Sequence, residues 1–153
     1  MKYTGVGATD EHARRVMESY RRWTGKPLLD EEFDPAHAFN ALFHAPMVVL
    51  SHGTEADPIL NFGSRKALEL WEMDWEMFTR TPSRLTAEPM EREERATFMN
   101  AVSEKGYVDD YTGIRISRTG RRFYILQATV WNLTDEKGAF YGQAAAFRSH
   151  REV

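Results

Sequence analysis

Three predicted β-strands in succession, joined by two short turns, constrain this chain more than any other part of its sequence. The segments cover residues 107–117, 121–132 and 139–147. Two turns connect them, Arg118-Thr119-Gly120 and Asp135-Glu136-Lys137-Gly138. Both turns contain glycine, which favours tight hairpins. Three consecutive strands of this kind form an antiparallel meander, a sheet that can cover one side of a pocket.

The sequence before the meander supplies the rest of a two-layer fold. Strands are predicted over residues 47–51 and 58–62. Ser64 and Asp74 are predicted to cap short helices, and a longer helix is predicted over 91–104. Two strands, a helical middle and a three-strand meander predict an α+β fold. We expect one five-stranded antiparallel sheet with helices packed on one face.

An amphipathic helix is predicted near the N-terminus, from the N-cap Asp10 to about Trp23. It gives an N-terminal helical extension over residues 1–32, followed by one domain over residues 33–150. Its apolar stripe consists of Ala13, Val16, Tyr20 and Trp23. The stripe must be buried either on its own domain or on a second subunit. The second alternative predicts a homodimer through the N-terminal helix.

Composition excludes several functional classes. The net charge of −3 argues against a general nucleic-acid-binding protein, which usually carries a basic excess. The absence of cysteine excludes disulfides, thiolate metal sites and a cysteine nucleophile. None of the five histidines stands at a spacing typical of zinc sites, so no metal site is predicted. Without a signal peptide or a long apolar run, we expect a cytoplasmic protein that does not enter a membrane.

Five stretches of the sequence together resemble the MEKHLA domain family, a PAS-related group. That family occurs as small stand-alone bacterial proteins and at the C-terminus of plant homeodomain-leucine zipper regulators. The resemblance covers residues 33–148, and this chain is similar to the stand-alone bacterial type. The stretches that carry it are Ala67-Leu68-Glu69-Leu70-Trp71, Pro82-Ser83-Arg84-Leu85-Thr86-Ala87-Glu88-Pro89, Gly120-Arg121-Arg122-Phe123, Ala128-Thr129-Val130-Trp131-Asn132 and Gly142-Gln143-Ala144-Ala145.

The resemblance implies a PAS fold and a role in sensing or interaction, without catalytic activity and without naming a ligand. PAS-like light sensors that form a flavin adduct need a cysteine, so that photochemistry is excluded. PAS proteins that bind haem usually hold it through a histidine on the longer helix. That helix has no histidine here and offers only Met99, with Met90 just before the helix, so a histidine-ligated haem is not expected. A non-covalently bound flavin or another small molecule is not excluded as a ligand. An unidentified partner protein must carry the output, since no output domain follows.

The meander contains the leading candidates for a ligand pocket. Strict alternation places Gln127, Trp131 and three further residues on one face of the middle strand. Gln143 lies on an apolar face of the last strand, and in flavin-binding PAS relatives a last-strand glutamine faces the ligand. A buried amide needs a partner, which is a bound ligand, the other glutamine or the backbone. The predicted ligand-binding residues are Gln143, Gln127, Trp131, Asn132, Phe98, Met99 and Asn61.

Two alternatives stand beside a sensor that binds a small apolar or aromatic molecule. One is a small enzyme on a scaffold like that of ketosteroid isomerase. Asp110, which alternation turns inward, would be its base, and Tyr111 or Tyr107 its oxyanion donor. The order of the elements argues against this alternative, because two strands precede the middle helices. The other is a protein-binding PAS module whose core is filled by side chains.

Overall fold

A computed structural model describes residues 3–87 and 89–153, without the side chains of residues 89–92, 95 and 99. Its helices and strands, in chain order, are α1 (Asp10–Thr24), α2 (Ala38–Phe43), β1 (Val48–His52), β2 (Leu60–Gly63), α3 (Arg65–Trp71), α4 (Trp75–Phe78), α5 (Pro89–Lys105), β3 (Tyr107–Ile116), β4 (Arg122–Thr134), β5 (Phe140–Phe147) and β6 (Ser149–Glu152). Short 3-10 turns cover Val6–Ala8, Pro35–His37 and Ser83–Thr86.

The strands form one antiparallel sheet in the order β2-β1-β5-β4-β3. The predicted α+β class and the five-stranded antiparallel sheet are confirmed. The structure adds a sixth strand that was not predicted, β6. It pairs with the first half of β4, whereas β5 pairs with the second half of β4. The chain thus continues along the same side of β4 after a break at Arg148.

Helix α1 covers one face of this sheet, which we call the back face. It begins after Thr9, whose side chain accepts a hydrogen bond from the His12 N–H, and it ends at Gly25 in the left-handed conformation. The predicted N-cap was therefore one residue late, and Asp10 instead accepts a hydrogen bond from the Phe39 N–H. Ala13 and Val16 are fully buried. Tyr20 and Trp23 are half-buried. The stripe thus packs on the sheet of the same chain, and a contact of this helix with a second subunit stays a prediction.

Helices α3 and α5 lie against the opposite face of the sheet, the front face. Trp71 at the end of α3 contacts the rings of Phe123 in β4 and Phe147 in β5, at centroid distances of 5.3 and 6.3 Å. Val102 of α5 is fully buried and lies beside β4. A space is enclosed between α3 and the sheet.

The end of α3 is fixed to the hairpin between β3 and β4 by Glu72, which adopts a left-handed conformation with φ 61°. Its carboxylate accepts hydrogen bonds from the hydroxyls of Ser117 and Thr119. These bonds, together with the charge of Arg121, hold the pKa of Glu72 below its usual value. The contact keeps the first turn of the meander against the helical layer.

Ser64 connects the cap of α3 to strand β1, and its replacement gives a first testable effect. Its buried hydroxyl accepts the N–H groups of Val49 (3.0 Å) and Ala67 (3.4 Å) and donates to the Met47 carbonyl (3.0 Å). We expect Ser64→Ala to lower the free energy of unfolding by about 2–3 kcal/mol, since a cap is lost and buried backbone groups lose their partner. Urea denaturation measures this value.

The matched control for Ser64→Ala is Asp74→Ala, which removes the exposed N-cap of α4. That substitution is expected to cost about 1 kcal/mol, because water can satisfy the released N–H. Equal losses for the two variants would contradict the role assigned to Ser64.

In the described part of the chain, no helix is both long enough and apolar enough to cross a lipid bilayer.

Candidate functional site

A cavity of about 40 Å³ lies between the front face of the sheet and the helical layer. Strands β1 to β5 form one side of it, and α3 with the turn Ser83–Thr86 forms the other. Its walls are mainly apolar. Its lining residues include Leu50, Leu60, Trp71, Tyr111, Arg115, Ile125, Val130, Gln143 and Phe147.

The size of the cavity limits what it can hold. It has room for about three or four water-sized groups, whereas pockets for drug-sized ligands usually span about 300–1,000 Å³. A flavin therefore does not fit this cavity as it stands. A molecule of a few heavy atoms does.

Two buried amides are paired at the cavity wall, where Gln143 lines the cavity and Asn132 is not among its described lining residues. The Nε2 atom of Gln143, a residue only 5% exposed, donates to the Oδ1 atom of Asn132 at 3.0 Å. The Nδ2 atom of Asn132 donates in turn to the carbonyl of Val102 in α5, at 3.1 Å. The structure thus brings together two of the predicted site residues, and their hydrogen bonds connect the cavity wall to helix α5.

Arg115 is a cavity residue that the sequence reasoning missed. It is only 5% exposed. Its guanidinium donates to the Ile114 carbonyl (2.9 Å) and to the Tyr111 hydroxyl (3.0 Å), and its Cζ atom lies 5.2 Å from the centre of the Tyr111 ring. An arginine between two isoleucines in a strand resembles an outward-facing charge, so single-strand alternation gives no signal for it.

A hydrogen-bond donor of Trp71 is also left without a partner. The indole Nε1 atom of this cavity residue is buried and has no acceptor within the described residues. Buried polar groups are almost always paired, because an unsatisfied one costs about 1–3 kcal/mol. The cavity thus combines apolar walls with a surplus of donors.

Gln127 lies away from the cavity, so its predicted orientation was wrong. Between residues 125 and 128 strand β4 has one more residue than β3 opposite it, and Gln127 adopts a φ of 50° in this bulge. The side chain is exposed. The bulge shifts the alternation of β4 by one residue, which turns Val130 rather than Trp131 towards the cavity.

Trp131, Asn61 and Phe98 also lie outside the cavity wall. Trp131 faces α1 and donates from Nε1 to the Val16 carbonyl at 3.1 Å. Asn61 sits in a bulge of β2 and accepts the Ser51 hydroxyl at 2.6 Å on the same side as α1. Phe98 packs on the ring of Tyr111, which does line the cavity, with a centroid distance of 4.1 Å. The Met99 side chain lies outside the described residues.

The alternative catalytic site is not assembled in this fold. Strand β3 has an extra residue between Val108 and Tyr111, and both Asp109 and Asp110 are exposed at this bulge. The prediction that Asp110 faces inward was therefore wrong. Tyr107 pairs with Trp131 at the start of β3, and Tyr111 lies four residues further along.

A second polar cluster, the back-face network, lies on the other side of the sheet and is centred on His12. This fully buried histidine is 3.0 Å from the Tyr141 hydroxyl through Nδ1 and 2.9 Å from the Ser51 hydroxyl through Nε2. The only hydroxyl proton of Ser51 goes to Asn61. Nε2–H of His12 must therefore donate to Ser51, and Nδ1 accepts the proton of Tyr141.

His12 is held in its neutral form by this environment. Burial, aided by the nearby charge of Arg15, lowers its pKa from 6.5 to about 4. Sequence reasoning assigned this histidine no role. A signal was present, because His12 stands four residues before Val16 on the same apolar stripe of the helix.

Arg15 connects the back-face network to the turn between β4 and β5. Its guanidinium lies over the Tyr141 ring at 4.7 Å and forms an ion pair with Glu136 at 2.7 Å. The hydrogen bond to Glu136 raises the pKa of Arg15. Backbone N–H groups in the turn lower the pKa values of Asp135 and Glu136. Helix α1 is thereby fixed to the sheet at several points along its length.

Comparison with solved structures shows which fold this is. A PAS domain from Colwellia psychrerythraea superimposes with a TM-score of 0.63 at 12% identity, over 74% of this chain and 92% of that one. An RNA-binding light-oxygen-voltage receptor also gives a TM-score of 0.63, at 14% identity. That match covers 81% of this chain but only 36% of the receptor. At such identities the likeness shows a PAS fold and nothing further.

Sequence comparison identifies the family. No curated protein matches the chain. The MEKHLA domain model matches residues 10–151, which include helix α1 as well as the whole sheet apart from the last residue of β6. The division of the chain at residue 33 stays a prediction. Because the match covers most of its length, the chain belongs to the MEKHLA domain family, a PAS-related group.

Proposed function

We propose that this protein is a non-catalytic sensory module that binds a small, largely apolar molecule in the cavity between the sheet and the helices. One observation carries the proposal. The buried amide of Gln143 lines the cavity and is hydrogen-bonded to Asn132, which holds helix α5 through the Val102 carbonyl. A ligand that changes the position of the Gln143 amide changes the contact between the sheet and α5.

The same strand provides a second route, towards α1. Gln143 faces the cavity, whereas Tyr141, two residues earlier in β5, contacts His12 in the back-face network. Strand β1 has the same arrangement, since His52 lines the cavity and Ser51 contacts His12. A displacement of β5 or β1 by a ligand therefore acts on the hydrogen bonds of α1. The output then passes to a partner protein.

The test begins with native mass spectrometry and the absorption spectrum of freshly purified protein. A retained small molecule appears as added mass that denaturation releases. We expect Gln143→Leu to reduce this retention about tenfold and to cost about 1–3 kcal/mol of stability, because the Asn132 oxygen loses its donor. Gln127→Leu is the matched control, since it makes the same change at an exposed position of the sheet.

Two outcomes would contradict the proposal. If Gln143→Leu leaves both retention and stability unaltered, the assignment of Gln143 to a ligand site fails. If the wild-type protein neither retains nor takes up any small molecule, the alternative of a protein-binding module with a filled core is favoured.

We also propose that two copies of the chain form a homodimer through α1. The outward face of the helix carries the exposed residues Glu11, Glu18, Arg21 and Arg22, so a dimer formed there would depend on charged contacts. Sedimentation equilibrium at low and high salt tests it. A monomer mass at every protein concentration and at both salt concentrations would contradict it.

A further inference from the structure

Among the described residues, the guanidinium of Arg115 is a buried positive charge without a negative partner. Both of its hydrogen bonds go to neutral acceptors, a backbone carbonyl and a tyrosine hydroxyl. Within the part of the chain that the structure describes, no carboxylate forms an ion pair with it. Burying a charge is unfavourable unless a counter-charge accompanies it, and the ring of Tyr111 supplies only a weaker attraction.

The neighbourhood of this charge points to a ligand that accepts hydrogen bonds. Trp71, on the opposite wall of the cavity, has a buried indole N–H with no acceptor among the described residues. The orphan donor and the uncompensated cation are independent observations at the same cavity. A group that carries oxygen atoms would give the indole N–H an acceptor, and a negative charge would compensate Arg115.

The rest of the cavity restricts the anion further. Leu50, Leu60, Ile125 and Val130 present apolar walls, and the volume is about 40 Å³. Such walls disfavour a strongly hydrated anion such as phosphate and favour an anion with a short apolar tail. The planar fork of an arginine matches a carboxylate.

We infer that the cavity binds a short-chain monocarboxylate, whose carboxylate pairs with Arg115 and whose hydrocarbon tail contacts the aliphatic wall. This inference rests on the proposed function, because it names the ligand class of the same cavity.

Isothermal titration calorimetry at constant ionic strength tests it with three probes. Sodium propionate is the test ligand, propionamide is its neutral isostere, and sodium phosphate is an anion without a tail. We expect propionate to bind at one site per chain, at least about tenfold more tightly than propionamide, because the amide brings no charge. Phosphate is expected to bind more weakly than propionate.

Two variants of Arg115 separate a ligand role from a structural one. Arg115→Met removes the charge and keeps an unbranched apolar side chain. We expect it to abolish the preference for propionate over propionamide while leaving the melting temperature of the ligand-free protein unchanged or higher, since a buried unpaired charge is removed. Arg115→Lys keeps the charge without the planar fork and is expected to weaken propionate binding about tenfold.

The outcomes distinguish the ligand class from the proposed function. Two results would overturn the inference that the ligand is a carboxylate: equal binding of propionate and propionamide, or propionate binding that Arg115→Met leaves unaltered. In both cases the cavity would remain a ligand site. A large drop in the melting temperature of ligand-free Arg115→Met would show a structural role and would also overturn it. If none of the three probes binds and the purified protein retains no molecule, the proposed function itself fails.

Discussion

Lowering the pH from 7 to 4 is expected to cost the folded protein about 3 kcal/mol through His12 alone. The histidine is buried between α1 and the sheet, and its pKa falls from 6.5 to about 4 on folding. The unfolded chain therefore binds this proton more readily than the folded chain does. The stability that neutral His12 contributes is present above pH 6.5 and is lost as the pH falls towards 4.

The comparison with His12→Gln isolates this effect. Glu72, Asp135 and Glu136 also have lowered pKa values, and they lose stabilising contacts in acid in both proteins. Their contributions cancel when the two unfolding free energies are subtracted at each pH. We expect the wild-type protein to be the more stable at pH 7 and its advantage to shrink steadily down to pH 4. Parallel pH profiles from urea denaturation would show that His12 is not the titrating group.

Trp131→Ala is expected to destabilise the protein at least as much as the change from pH 7 to pH 4 does through His12. The expected loss is about 3–5 kcal/mol in the free energy of unfolding. The Trp131 side chain is completely buried, packs edge-on against Tyr20 at a centroid distance of 5.0 Å, and donates to the Val16 carbonyl of α1. Its removal leaves a large cavity between α1 and the sheet. Reversible urea unfolding followed by circular dichroism measures the loss.

Trp23→Ala provides the matched control for this prediction. Trp23 also contacts the sheet from α1 and donates to a backbone carbonyl, that of Asn132, at 3.0 Å, but its side chain is only half-buried. We expect a clearly smaller loss, because less apolar surface returns to water. Similar losses for the two variants would mean that α1 is held by its edges rather than by the centre of its apolar stripe.

The meander and its turns could be predicted from the sequence because the signals are local. The predicted strands over 107–117, 121–132 and 139–147 correspond to β3 (Tyr107–Ile116), β4 (Arg122–Thr134) and β5 (Phe140–Phe147). The caps at Ser64 and Asp74 were also correct. In each case a short polar side chain or a glycine determines the backbone within a few residues, so no knowledge of the rest of the fold is needed.

The orientation of side chains in the meander could not be predicted in the same way. One extra residue near Gln127 and another near Asp110 each reverse the alternation along a strand. A bulge results from the pairing of two strands, and neither strand shows it alone. Strand β5 also has an extra residue, between Phe140 and Gly142, but from Gln143 to Phe147 it pairs with its neighbours without a register shift. Gln143 lies in this regular part and lines the cavity, and its role in ligand binding stays a prediction. Arg115 was missed because its burial depends on the register of β3 against β4.

The position of α1 has a consequence for how the chain reaches this structure. The contacts that hold it, from Trp131 to Val16 and from Thr134 to Ser19, join residues that are 115 positions apart. The helix is synthesised long before the strand that covers its apolar stripe. Folding therefore has to close a very long loop before α1 gains its main stabilisation, which predicts slow folding. Until β4 has been made, the stripe of α1 is a surface on which a nascent chain can aggregate or a chaperone can bind.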